Sequence, residues 1–169
     1  MSGEHHQLLY IGKANNLRQR LNSYKNAQPD RVSRKVIRLV HEIRAITWEL
    51  CGSADEALLL NTDGEVVEAA SSNLFWIEKG TLCTPPLEDG ALPGITRALA
   101  LELGPTLDLP TKEKSARPET LHQADGVFLT LSTLGIVEAT SLDGKPLARS
   151  SWVARLQAAY QRTILEETS

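Results

Sequence analysis

Tyr10, Arg20 and Lys35 fall within a basic stretch of the chain, whereas Glu68, Gly94-Ile95-Thr96 and Ser132-Thr133 fall within an acidic one. A phenol can relay a proton to or from water, and a guanidinium clamps phosphate oxygens bidentately. Lys35 sits at the start of a basic helix. Glu68 lies in an alternating segment, where taken alone it is a solvent-facing strand residue. Gly90-Ala91-Leu92-Pro93-Gly94-Ile95-Thr96 is a glycine-bounded loop entering a helix, and the positive end of a helix favours an anion. Ser132-Thr133, taken alone, is a turn.

The elements that must position these residues belong to an ordinary globular chain. Its 169 residues suffice for one well-packed domain or two small ones, and 41% hydrophobic with 23% charged residues suits a soluble protein. The sequence holds no apolar run of about 18 residues, so no membrane span is expected. MSGEHHQLLY lacks the pattern of a secretory signal. Cys51 and Cys83 are too few for a disulfide framework and have no metal-type partner nearby, which predicts reduced thiols in a cytoplasmic protein and no metal site. The net charge of −3 hides an asymmetry: residues 1–50 hold nine Lys/Arg against four Asp/Glu, and residues 51–169 hold nine against seventeen. The first part could face a polyanion, or present only a solvated basic helix face.

Taken in order, Leu8–Gly12 reads as a short buried strand, Leu17–Tyr24 as a helix, and the stretch opened by Ser33 as an amphipathic helix. Thr47–Leu50 alternates like a strand. Ser53-Ala54-Asp55-Glu56 carries an N-cap signal that would start a helix through Leu60. The same residues also read as a strand over Glu56–Leu60, an Asn61–Gly64 turn and a second strand through Val66-Val67-Glu68, and this reading is preferred because the Asp63-Gly64 turn agrees only with it. Further strands are predicted at 71–77, 81–84, 127–131 and 136–139, with turns at Lys79-Gly80 and Asp143-Gly144. Helices are predicted over Ala98–Leu103, stopped by Gly104-Pro105, then from Pro118, and over Trp152–Leu165.

Residues 8–60 resemble the GIY-YIG nuclease family through Leu9-Tyr10-Ile11-Gly12-Lys13-Ala14, Leu17-Arg18-Gln19-Arg20-Leu21, Ser33-Arg34-Lys35 and Ala54-Asp55-Glu56-Ala57-Leu58-Leu59-Leu60. That resemblance implies a scissile phosphate between Tyr10 and Arg20, and weak nucleic-acid binding through residues 10–44. It lacks a counterpart to the family's first strand. Asn61 also stands where the family has a metal-binding glutamate, and a neutral amide holds Mg²⁺ poorly.

Residues 54–165 resemble the large domain of the class IV aminotransferases, the pyridoxal-phosphate fold type that includes aminodeoxychorismate lyase and branched-chain aminotransferases. ADEALLLNTDGEVVEAASSNLFW, TPPLEDGALPGITR and LTLSTLGIVEATSLDGKPL carry the resemblance, in that order. It implies that Glu68 pairs with the protonated pyridine nitrogen of pyridoxal 5'-phosphate, and that Leu92 packs against the ring. It also implies that Gly94, Ile95 and Thr96 meet the phosphate, with Ser132 and Thr133 completing the cup. The family's Schiff-base lysine falls by spacing on Lys35, although the residues after it, Val36-Ile37-Arg38, depart from the family's pattern.

The expected fold is α/β (α+β): a mixed-sheet domain of the fold-type-IV large-domain kind over 54–169, preceded by a truncated GIY-YIG-like segment over 1–53. The expected function is that of a pyridoxal-phosphate-dependent class IV aminotransferase or aminodeoxychorismate lyase fused to that fragment, binding the cofactor weakly or inactive. The alternatives are a nuclease or nucleic-acid-binding module, and a recombinant fold without catalysis. An amino acid or chorismate-like substrate, a homodimer and no membrane partner complete the expectations.

Overall fold

Alternation of large apolar side chains with a period of two builds the central sheet, and it does so on both faces. The computed structural model describes residues 55–167, together with Asn22, and one of its compact units begins at Leu58. Strands β3 (Asn73–Glu78), β4 (Thr81–Thr84), β5 (Thr111–Glu113), β6 (Gly126–Leu131) and β7 (Gly135–Glu138) form a five-stranded sheet in the order β5-β4-β3-β6-β7. All neighbours are antiparallel except β4 and β5, which run parallel. The sheet is therefore mixed, as expected.

One face carries Phe75, Ile77, Leu82, Phe128 and Ile136, packed with Ala100, Leu103, Val153, Leu156 and Ala159. Those residues come from helices α1 (Ile95–Thr106) and α3 (Ser151–Glu167). Phe75 and Phe128 are register partners whose rings stack with centroids 5.0 Å apart. Such a pair adds about 0.5–1.5 kcal/mol beyond its buried area. The opposite face carries Leu74, Trp76, Cys83 and Val127, covered by Val66, Ala116, Leu121 and Leu147. Leu121 belongs to the short helix α2 (Pro118–His122). The free thiol of Cys83 is buried there, and burial pushes its pKa up, which keeps it protonated and inert. At the far end of β3, Lys114 pairs with Glu78 and its hydrogen bond holds that carboxyl below the usual carboxylate range.

Ahead of the sheet, β1 (Leu58–Leu60) and β2 (Val66–Ala69) make an antiparallel hairpin. Asn61 builds its turn: the Oδ1 atom accepts the N–H of Asp63 at 3.0 Å and of Glu65 at 2.9 Å. Gly64 takes a φ of 77°, which costs glycine little. Of the two readings of this stretch, the preferred strand holds, shortened to Leu58–Leu60, because this local turn folds the leucine run back onto β2. A smaller ribbon, β8 (Ser141–Leu142) with β9 (Lys145–Pro146), turns at Asp143-Gly144 as expected.

Both ends of α1 differ from expectation. Helix α1 starts at Ile95 instead of Ala98, and it runs through Gly104-Pro105 to Thr106. Proline disrupts a helix through its missing N–H and its clash with the preceding turn, but here only one helical residue follows it. The N–H groups of Leu107 and Leu109 both close onto the Gly104 carbonyl at 3.0 Å. Strand β5 is polar and three residues long, and it forms because α1 carries the chain back alongside β4. Gly104 permits that return: a Cβ there would lie 2.6 Å from Thr111 Cγ2 and 3.0 Å from the Leu109 carbonyl oxygen. Alanine would gain about 1 kcal/mol of helix propensity, whereas overpacking costs about 1–3 kcal/mol. Gly104→Ala is therefore expected to lose the usual gain of a helical Gly→Ala change and to lower stability by up to about 2 kcal/mol in chemical denaturation, and a raised midpoint would contradict the close packing of α1 on β5.

Candidate functional site

At the end of the sheet where β3 begins, four segments meet. Asn73 opens β3 and faces Thr130 across the ladder to β6. Ser132 and Thr133 follow β6 in an exposed turn into β7. Glu68, on β2, directs its carboxylate to the loop before α1: Oε2 accepts the Leu92 N–H at 2.9 Å. The same oxygen accepts Asn73 Nδ2 at 3.0 Å, and Nδ2 also donates to the Leu92 carbonyl at 2.8 Å. Gly94 completes the contact, since a Cβ on it would overlap Asn73 Oδ1. Its φ of −70° is open to any residue, so glycine is required there for space alone.

Helix α1 starts immediately after this junction. Gly94 is its N-cap, no side chain among the described residues caps it, and its first turn contains no acid. The leading N–H groups of a helix need acceptors from outside the helix, and together with the macrodipole they favour an anion. Ile95, at the front of the helix, is 86% exposed, while Thr96 is buried. Leu92 is half exposed on the loop. A carboxylate and an uncapped helix start are thus tied together through the backbone of one residue, Leu92. This combination suits a ligand carrying a cationic group at one end and an anionic group at the other.

Of the residues singled out from sequence, Leu92 hydrogen-bonds both Glu68 and Gly94, and Ile95 and Thr96 continue from Gly94. Ser132 and Thr133 lie in the turn that follows β6, the strand paired with β3. Tyr10, Arg20 and Lys35 lie outside the described residues. Asn73 and Arg97 carried no expectation. Asn73 is a polar amide heading an apolar strand, an anomaly legible in the sequence. Arg97 is 5% exposed, and its Nη2 donates to the Pro85 carbonyl at 3.0 Å and pairs with Glu113 on β5. It pins the first turn of α1 to the sheet edge, a role that depends on a crossover the sequence does not display.

Gly94→Ala is expected to push the Asn73 amide out of its double hydrogen bond and to cost about 1–3 kcal/mol of stability. Thermal unfolding checks this, and a variant as stable as the parent would contradict the tight junction.

The model of the family described as amino-transferase class IV matches residues 8–142. That match takes in the whole segment likened to a nuclease, and it came with no support for the nuclease resemblance. A D-alanine aminotransferase from Bacillus licheniformis is 36% identical over 120 residues, covering 69% of this chain and 42% of the relative. The crystal structure of a branched-chain aminotransferase from Thermoproteus uzoniensis with norvaline superposes with a TM-score of 0.65 at 38% identity, covering 68% of this chain and 38% of that one. A putative 4-amino-4-deoxychorismate lyase from Legionella pneumophila gives a TM-score of 0.62 at 37% identity, covering 65% of this chain and 41% of that one. The chain spans less than half the length of each of these relatives. On the extent of the family match and the shared mixed sheet, the chain belongs to the class IV aminotransferases.

Proposed function

We propose that the chain binds pyridoxal 5'-phosphate at the Glu68–Leu92–Gly94 junction and serves class IV aminotransferase or aminodeoxychorismate-lyase-like chemistry. The observation that carries this reading is the hydrogen-bonded link between the Glu68 carboxylate and the loop that opens α1. Glu68 would hold the protonated ring nitrogen, for which an acidic partner is needed. The N–H groups of Ile95 and Thr96 and the Thr96 hydroxyl would hold the phosphate beside Gly94, whose own N–H is given to the Leu92 carbonyl, with Ser132 and Thr133 closing the cup. Leu92 would cover the ring. When bound, the cofactor supplies an electron sink for the substrate amino acid or chorismate-like amine. Lys35 is the candidate for covalent attachment.

The class IV family model already matches from residue 8. The basic character of the first fifty residues favours a second reading, weak polyanion binding through residues 10–44 with Tyr10 and Arg20 near phosphate. A homodimer in a reducing, cytoplasmic setting completes the proposal, with the free Cys83 thiol consistent with that setting.

Titration with pyridoxal 5'-phosphate, followed by absorbance, is expected to show saturable binding. Borohydride reduction and peptide mapping are expected to label Lys35. A charge-assisted hydrogen bond contributes about 1.5–3 kcal/mol, so Glu68→Gln is expected to weaken binding roughly tenfold to a hundredfold. Absence of saturable binding by the parent protein would sink the proposal, and a label confined to another lysine would remove Lys35 from it.

A further inference from the structure

We infer that Asn73 is a positioning residue that couples the two ends of the proposed cofactor site, an inference that rests on the pyridoxal-phosphate reading above. A carboxamide nitrogen has two protons to donate. Here one goes to Glu68 Oε2 and the other to the Leu92 carbonyl. The Leu92 N–H returns to the same Glu68 oxygen. The three groups form a closed ring, so the carboxylate cannot turn, nor the loop shift, without breaking two hydrogen bonds.

The three members do not have equal support. Asn73 is 7% exposed and sits in the five-stranded sheet, in register with Thr130. Glu68 belongs to the separate two-stranded hairpin, and Leu92 belongs to a loop. Asn73 is thus the member anchored in the sheet that carries both cores, and it lends that anchorage to the other two. A Cβ on Gly94 would overlap Asn73 Oδ1, so the start of α1 is registered by the same amide. The acid that would meet the ring nitrogen and the helix start that would meet the phosphate are therefore set at a fixed spacing by one side chain. A residue of mere loop packing would affect stability without linking the two ends.

The test uses the full chain with Asn73→Ala, Asn73→Asp, Glu68→Gln and the Asn73→Ala/Glu68→Gln double variant, with pyridoxal 5'-phosphate as the probe. In the folded protein without cofactor, Asn73→Ala is expected to speed amide hydrogen exchange over residues 90–97 by about tenfold, with exchange in β3 and β6 unchanged. It is expected to raise the Kd for the cofactor by about tenfold, and by less than about threefold when Glu68→Gln is already present, because neighbours in one network are not additive. Asn73→Asp keeps the shape but sets two carboxylates together, so its binding is expected to be weak at neutral pH. It should recover relative to the parent as acidification returns a proton for donation. Should Asn73→Ala fail to fold, that recovery on acidification carries the test. Additive effects of the two substitutions, or an Asn73→Asp variant that shows no such recovery, would overturn the role of Asn73 while leaving the cofactor reading intact. A parent protein that binds no cofactor would overturn the functional reading itself, and this inference with it.

Discussion

The Glu68 carboxylate oxygen that accepts both the Leu92 N–H and the Asn73 amide is the constraint on which the site depends. Through it the hairpin bearing the acid and the loop opening α1 are tied together at this end of the molecule. A carboxylate accepting two donors is held more firmly than a neutral acceptor, because charge-assisted hydrogen bonds are roughly twice as strong as neutral ones. The tie also leaves the donors at the start of α1 without a capping side chain among the described residues. The local chemistry is therefore complementary: fixed negative charge on one side and fixed positive dipole on the other.

What makes the constraint hold is the sheet behind it. Its two faces are both buried, one by α1 and α3 and the other by β2, α2 and the loops near them. Strand β3 lies at its centre, between β4 and β6, and its five leading residues are all buried. A central strand with both faces packed opens only with much of the domain. Asn73 heads that strand, so the site is built at the boundary between a rigid core and an exposed loop. Arg97 braces the same boundary from the other side, through Pro85 and Glu113. Loops that carry function on a rigid scaffold follow the same logic.

Much of this was legible in the sequence. The short apolar runs in NLFWIE and VFLTL marked the core strands, and Asp63-Gly64, Lys79-Gly80 and Asp143-Gly144 marked turns that the structure contains. The leucine run at 58–60 was ambiguous, because three apolar residues suit a helix or a strand equally; the Asn61 side chain settled it from just outside the run. Strand β5 was not legible, since Thr-Lys-Glu has no apolar pattern and its pairing with β4 arises through a crossover. The continuation of α1 past Gly104 was hidden for a related reason: the glycine reads as a stop, but it serves the approach of Thr111. At the site, Glu68, Leu92 and Gly94 carried expectations through family resemblance. Asn73 did not, because its importance lies in two partners 5 and 19 positions away along the chain.

The central claim is spatial: one ligand is held between the Glu68 carboxylate and the start of α1. A crystal structure of the chain with pyridoxal 5'-phosphate tests it most directly. The account predicts the phosphate within hydrogen-bond distance of the Ile95 and Thr96 amides and the ring nitrogen against Glu68, with the Glu68–Asn73–Leu92 ring intact. A cofactor bound at another surface, or one whose phosphate and ring nitrogen are exchanged between these positions, would contradict it.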